Sequence, residues 1–411
     1  MNAAKLVLRY LVDKKLSTVL NIFLLSLGTA VIVILILFNR QLEERISANA
    51  KGIDLVVGAK GSPLQLILCS VFHVDFPTGN IKLRDTEAIV KNPLIKQVIP
   101  LSLGDNFKGY RLVGTTRNYA DLYSGTLSTG AWFEKEMEVV AGATAARLGE
   151  LKVGDRFASS HGLTSDGDHH DTNFIVTGIL SPTNSVLDNL ILTSVESVWH
   201  VHEHEKETEE EHKPVTNPYT LVPSVDRSDT IKEVTSLLIQ FRNPMAAIQL
   251  PRFINSQTKM QAASPAFETA RLFSILGIGI DVLEGFAYIL IFISALSIFI
   301  ALYNSLKERQ YDLAIMRTMG ASRLRLLISV MLEGTILTAI GTILGLLLGH
   351  SAVYAFSMAF DGSQKFGLTA FTLYSEEYFL VAASLLLGVV CSVVPAVQAY
   401  RVNIHNVLAG G

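Results

Sequence analysis

Four apolar stretches, each long enough to cross a bilayer, decide most of what this chain can fold into. A spanning helix needs about 20 mostly apolar residues. Such runs lie at 20–38, 287–302 (with helix-compatible sequence on both sides), 326–349 and 378–397. The interior of the first carries no charge. Between the first and second runs the composition is that of an ordinary soluble protein. This explains why only 17% of the 411 residues are charged, against about 25% in a soluble domain. The expected fold is an α-helical membrane protein with four transmembrane helices plus a large α+β extracytoplasmic domain inserted between helices 1 and 2. The expected bounds are 1–39 for the N-terminus and helix 1, and 40–282 for the inserted domain. Helix 2 takes 283–305, a short link 306–325, helix 3 326–350, a loop 351–377, and helix 4 with its tail 378–411.

Basic residues near helix ends set orientation. They gather at Lys5, Arg9, Lys14 and Lys15, and again at Lys307, Arg309, Arg317, Arg323 and Arg325, while Arg401 follows the fourth run. The link between the third and fourth runs has only Lys365, against Asp361, Glu376 and Glu377. Both termini and the 303–325 link are therefore expected in the cytoplasm, with the large domain and the 351–377 loop outside. Ala48-Asn49-Ala50 has the small-x-small form of a signal-peptide cleavage site. The apolar core is too long for such a peptide, however, and the site lies well past its end, so a retained anchor is expected.

In the inserted region Arg40–Ala50 is polar and helix-compatible, which extends the first helix outward as a stalk. Strands are expected at 54–58, 98–103, 110–113, 138–141 and 174–180, and a short helix at 144–148. An amphipathic helix is expected at 229–241, with Ile231, Val234, Leu237, Leu238 and Phe241 on one face. A second helical stalk is expected over 252–282. Lys60-Gly61-Ser62 lacks the G-x-x-x-x-G-K-[ST] pattern of a Walker A loop, so any ATPase is another chain. A net charge of −3 argues against a nucleic-acid binder. Two cysteines, Cys69 outside and Cys391 in the fourth helix, are not expected to pair.

The link after the second helix reads Lys307-Glu308-Arg309-Gln310-Tyr311-Asp312-Leu313-Ala314-Ile315-Met316-Arg317-Thr318-Met319-Gly320-Ala321. It resembles the cytoplasmic segment K/R-E-R-x-x-[ED]-x-[AG]-x-[LM]-R-x-[LM]-G-A of the MacB/FtsX-like permeases, the type VII ABC transporters. Pro395-Ala396 with Ala399 and Arg401 is similar to that family's P-A-x-x-A-x-R close. Asp54–Gly61 with His73, Pro77, Thr78, Gly79 and Asn80 resembles one branch of it. The resemblance implies a non-catalytic subunit of the bacterial inner membrane, homodimeric and bound to two ABC ATPase subunits that hold the ATP. It implies a periplasmic accessory or substrate protein as a further partner, with membrane lipid around the helices and no nucleic acid. It also implies mechanotransmission, in which ATP-driven dimerisation on one side reshapes the outer domains. The residues expected to couple to the ATPase are Glu308, Arg309, Tyr311, Asp312, Arg317, Gly320 and Ala321.

Gly341, Gly345 and Gly349 form a small-residue stripe for close helix packing, within one subunit or across a dimer. Glu333 is the one acid near that helix and is expected to pair with a base. Seven of the ten histidines fall between 161 and 212. His161, His169 and His170, with Asp166, Asp168 and Asp171, are expected at a hairpin tip. His200, His202, His204 and His212 are interleaved with six glutamates. Thr193 and Glu196 form a capping-box pattern, which would place His200 and His204 on one helical face. Imidazoles and carboxylates so placed suit Zn²⁺, and a solvated loop explains the same composition. Three functions therefore fit. The first is the permease subunit of a complex that moves or extracts a lipoprotein, peptide or amphiphile. The second is a scaffold that activates a periplasmic enzyme, and the third is a metal-linked transport component.

Overall fold

A computed structural model describes residues 15–161, 169–201, 232–308, 310–359 and 369–401. The chain divides into two compact units, Met1–Leu42 with Leu276–Gly411, and Glu43–Ile275. In chain order the helices are α1 (Lys15–Ala50), α2 (Pro63–Ser70), α3 (Glu87–Val90), α4 (Arg117–Leu122), α5 (Ala143–Gly149), α6 (195–201), α7 (Ala246–Gln257), α8 (Pro265–Glu308), α9 (Gln310–Thr318), α10 (Arg323–Ala359) and α11 (Ser375–Arg401). The strands are β1 (Leu55–Ala59), β2 (Ile81–Lys82), β3 (Ile95–Phe107), β4 (Tyr110–Gly114), β5 (Leu127–Gly130), β6 (Glu138–Ala141), β7 (Arg156–His161), β8 (His169–Leu180), β9 (Leu190–Thr193), β10 (Glu233–Val234), β11 (Ser236–Phe241) and β12 (Met260–Ala263).

The inserted unit is built on one mixed sheet in the order β12-β1-β11-β3-β4-β9-β6-β8-β5, with β7 paired to β3 and β8. Alternation along its central strands feeds cores on both faces. Leu55 and Val57 of β1, with Leu237 and Ile239 of β11, pack with Leu250 and Ile254 of α7. Val56 and Leu238, one residue out of phase, pack with Leu66 and Ile67 of α2 and with Tyr119 of α4. Ser62 opens α2 by accepting the Gln65 N–H, and Pro63 follows at the first helical position, where its missing N–H costs nothing. Gly58 is required for this packing, because a Cβ there would stand 2.5 Å from Leu66 Cδ1.

Three expectations are corrected here. Within 229–241 the described residues are strands β10 and β11, not a helix. Ser236–Ile239 is buried on both faces, and such a run has no period-two signal, so its apolar residues also fit a helical stripe. The 252–282 stalk is interrupted: α7 ends at Gln257, Thr258 is extended, and Met260–Ala263 pairs with β1 before α8 begins at Pro265. Thr193 lies in β9 and does not cap α6. Ser194 does, its Oγ accepting the Ser197 N–H at 3.2 Å.

In the other unit α1, α8, α10 and α11 each have the length and apolarity of a membrane span. Glycine contacts give their directions. A Cβ on Gly28 of α1 would touch Ile291 of α8, and Asn21 bonds Ser297, so these two helices run antiparallel. Gly341, Gly345 and Gly349 meet Leu25, Thr29 and Val33 in rising order, so α10 runs parallel to α1. Gly334 faces Ser392 while Gly388 faces Thr338, so α11 is antiparallel to α10. The start of α10 and the ends of α8 and α11 thus share one end of the bundle. There Leu306, Leu326, Val330, Ala396 and Ala399 form an apolar cluster.

Candidate functional site

The segment joining α8 to α10 sits on that cluster. Helix α9 turns Leu313 and Ala314 inward, 6% and 0% exposed, while Tyr311, Ile315 and Met319 stay exposed. The exposed three are spaced i, i+4, i+8 and fall in one row of the helical surface. Gly320 stops the helix with φ +95°. Its N–H bonds the Arg317 carbonyl and the Ala321 N–H reaches back to the Met316 carbonyl, the paired closure of a Schellman turn. Ser322 then opens α10, its Oγ accepting the Arg325 N–H. Two bases at this end lie over aromatic rings: Lys307 Nζ is 4.9 Å from the Tyr303 centroid, and the Arg323 guanidinium is 5.8 Å from that of Tyr400. Glu308 closes α8 and Arg317 lies in the last turn of α9. Arg309 is outside the described residues, and Asp312 is placed on α9 by its backbone. Ile315 and Met319 were not singled out from the sequence. Their spacing from Tyr311, opposite Leu313 and Ala314, was the available signal.

The glycine stripe packs against α1 of the same chain. A Cβ on Gly341 would lie 2.8 Å from Leu25 Cδ2, and one on Gly349 2.7 Å from Val33 Cγ1. Glu333 is buried, 8% exposed, on the same helix.

At the opposite end of the bundle, three helices are tied by polar contacts that sequence reading missed. Gln41 of α1 both donates to the Thr369 carbonyl and accepts the Thr369 N–H, each at 2.8 Å. Arg40 pairs with Glu376. His350 of α10 places Nδ1 2.6 Å from the Ala370 carbonyl and Nε2 2.9 Å from Glu377 Oε2. An isolated histidine at the end of an apolar helix gives no sequence sign of a partner 27 residues on.

The histidine-rich region divides. His161 ends β7 and β8 begins at His169, so the three histidines lie at the ends of an antiparallel strand pair whose connection, with Asp166 and Asp168, falls outside the described residues. His200 lies in α6, whereas His202, His204 and His212 fall outside the described residues. Among the described residues no cluster of three or more His, Cys, Asp or Glu side chains could hold a metal. Cys69 is buried and Cys391 is half-buried, both as free thiols. The Cys69 thiol is pushed up to about 11, chiefly by burial. Beside it Arg111 is buried, and its guanidinium is held by the Cys69 carbonyl and, at 2.8 Å, the Asp75 carbonyl. Burial holds that guanidinium below its ordinary value.

Comparison with known proteins matches residues 18–240 to the MacB-like periplasmic core domain. Residues 285–404 match the FtsX-like permease C-terminal region. Comparison with curated proteins gives no match. Among solved structures, the periplasmic region of MacB from Actinobacillus actinomycetemcomitans is similar at 12% identity and a TM-score of 0.33, covering 57% of this chain and 97% of that one. The extracellular domain of the noncanonic ABC-type transporter YknZ from Gram-positive bacteria is similar at 11% identity and a TM-score of 0.27, covering 52% and 99%. On the two family matches, which between them cover 18–240 and 285–404, the chain belongs to the MacB/FtsX-like family of ABC transporter permeases.

Proposed function

We propose that this chain is the permease subunit of a mechanotransmission complex. Helix α9 docks on a cytoplasmic ABC ATPase, and the resulting movement of the helices reshapes the periplasmic unit. Permeases of this family work with an ABC ATPase on a separate chain. The observation that carries the reading is the two-sided α9, with Leu313 and Ala314 seated on the bundle and Tyr311, Ile315 and Met319 exposed. Charged residues around an apolar strip give a docking surface both area and register. Glu308, Arg309, Asp312 and Arg317 supply those charges. The basic residues flanking α9 and α1 support a cytoplasmic location for this end of the bundle and for both termini. A homodimer binding two ATPases, with a lipoprotein, peptide or amphiphile as the periplasmic cargo, completes the assembly.

The test is ATPase stimulation in reconstituted complexes. Ile315→Glu with Met319→Glu, and separately Glu308→Ala with Arg309→Ala and Asp312→Ala, are expected to lower stimulation at least about tenfold, because truncating interface anchors costs about 2 kcal/mol or more. Folded variants with full stimulation would overturn the coupling role. Retained stimulation with no cargo movement, together with capture of a periplasmic enzyme, would point to the scaffold function. A zinc-linked role rests on the spacing of the histidines between 161 and 212. Calorimetry of the full chain with Zn²⁺, showing no binding or binding unchanged by deletion of 199–213, would remove it.

A further inference from the structure

The His350 ring is held between two groups that accept. Nδ1 lies 2.6 Å from the Ala370 carbonyl oxygen, which only accepts, so Nδ1 carries a proton and donates it there. Nε2 lies 2.9 Å from Glu377 Oε2, and the other oxygen of that carboxylate accepts the Tyr374 N–H at 3.2 Å. A neutral imidazole has one N–H. With that N–H spent on Ala370, a neutral ring would turn a bare lone pair on a carboxylate oxygen at hydrogen-bond distance. Two acceptors do not hold such a contact, so a second proton lies between them. Imidazole is ordinarily the stronger base of the two, about 6.5 against 4.3, which places that proton on Nε2.

The surroundings favour the filled state. The Glu377 side chain is 3% exposed, and Ala370 and Tyr374 pack with Leu37, Val353 and Leu380 in an apolar cluster. Imidazolium and carboxylate together are neutral. Without the second proton the same pair is a buried anion, which is costly. The neighbouring charges do not relieve it. Arg40 of α1 is taken by Glu376, its Nε 2.7 Å from Oε1. On α8 the charged residues within two turns of Ala287, which packs in the same cluster, are the acids Asp281 and Glu284, the latter accepting the Tyr288 hydroxyl. Asp361 and Lys365 lie outside the described residues. The His350 side chain keeps 20% exposure, which gives the proton a way in from solvent. Thr369, next to Ala370, is clamped to Gln41 of α1 by two bonds of 2.8 Å. The proton on Nε2 therefore ties α10 to α11 around a segment already hooked to α1.

We infer that His350 and Glu377 form a one-proton site, and that its proton clasps the 369–374 segment over the end of the bundle opposite α9. The ligand is a proton from the adjacent aqueous phase. The function proposed above makes that phase the periplasm, and only this naming of the source rests on that reading. The test uses the full chain in lipid nanodiscs with nitrogen-15 histidine, the His350 signals being those lost in His350→Gln. At neutral pH both ring nitrogens of His350 are expected at the shift of a protonated nitrogen. In Glu377→Gln the side-chain amide donates to Nε2, which is then expected at the shift of a bare nitrogen. A neutral His350 in the wild type, or an imidazolium unchanged in Glu377→Gln, would overturn the site. Should Glu377→Gln fail to fold, raising the pH of the wild type removes the same proton. Amide hydrogen exchange over 369–374, corrected for the intrinsic effect of pH, is expected to quicken about tenfold where the Nε2 proton leaves, as loss of one buried hydrogen bond implies, with 380–395 unchanged. Exchange that stays slow through that loss would overturn the clasp. Failure of the α9 variants to uncouple the ATPase would leave these outcomes untouched.

Discussion

A Cβ on Gly345 would stand 2.5 Å from Thr29 Cβ and 2.8 Å from the Ser26 carbonyl oxygen. Helices α1 and α10 therefore touch backbone to side chain, and an alanine at 345 must push α1 away. Overpacking of this kind costs about 1–3 kcal/mol. Gly345→Ala is expected to lower the thermal unfolding midpoint in detergent. Gly277→Ala in α8 meets nothing within 4 Å. It is expected to be neutral or to stabilise by up to about 1 kcal/mol through helix propensity.

Why the stripe was legible while its partner was not is a matter of distance along the chain. Glycines at 341, 345 and 349 announce a close approach, but nothing local says that Leu25, Thr29 and Val33 supply the other side. The four spans were legible for the same reason as the stripe, because each is a property of a contiguous run. Strands β4, β6 and β8 were found by their β-rich runs between turns. Strand β11 was misread because Leu237, Leu238 and Ile239 are all buried, and a strand with two cores loses its alternation. The ties of Gln41 to Thr369 and of His350 to Glu377 join residues far apart in sequence, and polar residues at helix ends are too common to signal a pair.

Gly320 tests the closure of α9. At φ +95° a β-branched residue is strained by about 1–2 kcal/mol. Gly320→Val is expected to unravel the Schellman turn, leaving the stability of the Glu43–Ile275 unit unchanged while weakening ATPase binding. Gly320→Asn, which tolerates the left-handed region better, is expected to fall between the two. Pull-down of the ATPase by each variant, alongside circular dichroism, gives the ranking. Equal binding by all three would show that the turn does not set the position of Met319.

Glu377 is 3% exposed on its side chain and serves two partners, His350 through Oε2 and the Tyr374 N–H through Oε1. Glu377→Ala removes the buried carboxylate that both contacts share, a cost of about 1–3 kcal/mol. Glu377→Gln keeps a carbonyl for Tyr374 and an amide for the imidazole, so its loss is expected to be less than half as large. Thermal midpoints of the two variants in nanodiscs measure the difference. Equal losses would mean that the carboxylate charge, and not hydrogen-bond satisfaction, holds this end of the bundle.

Acid separates His73 from the carboxylates. Burial first, and the Arg111 guanidinium second, hold its imidazole down to about 3 from an ordinary 6.5. Below pH 6.5 the unfolded chain binds a proton at this residue that the folded chain refuses. Stability rises with pH wherever the unfolded state holds more protons, so His73 removes stability as pH falls from 6.5 toward 3, by at most about 1.4 kcal/mol per pH unit. Glu138 has the same sign but a lower window. Its carboxylate accepts the Glu134 and Lys135 N–H groups, which hold it below its ordinary 4.5, so its contribution is present above that value and lost as pH drops through the folded one. Between pH 6.5 and 4.5 the difference between wild-type and His73→Asn isolates the histidine. The wild-type thermal midpoint is expected to fall more steeply on acidification, and the gap between the two curves should close by pH 4.5 or reverse. Parallel curves across that window would show that the imidazole takes up its proton in the folded state.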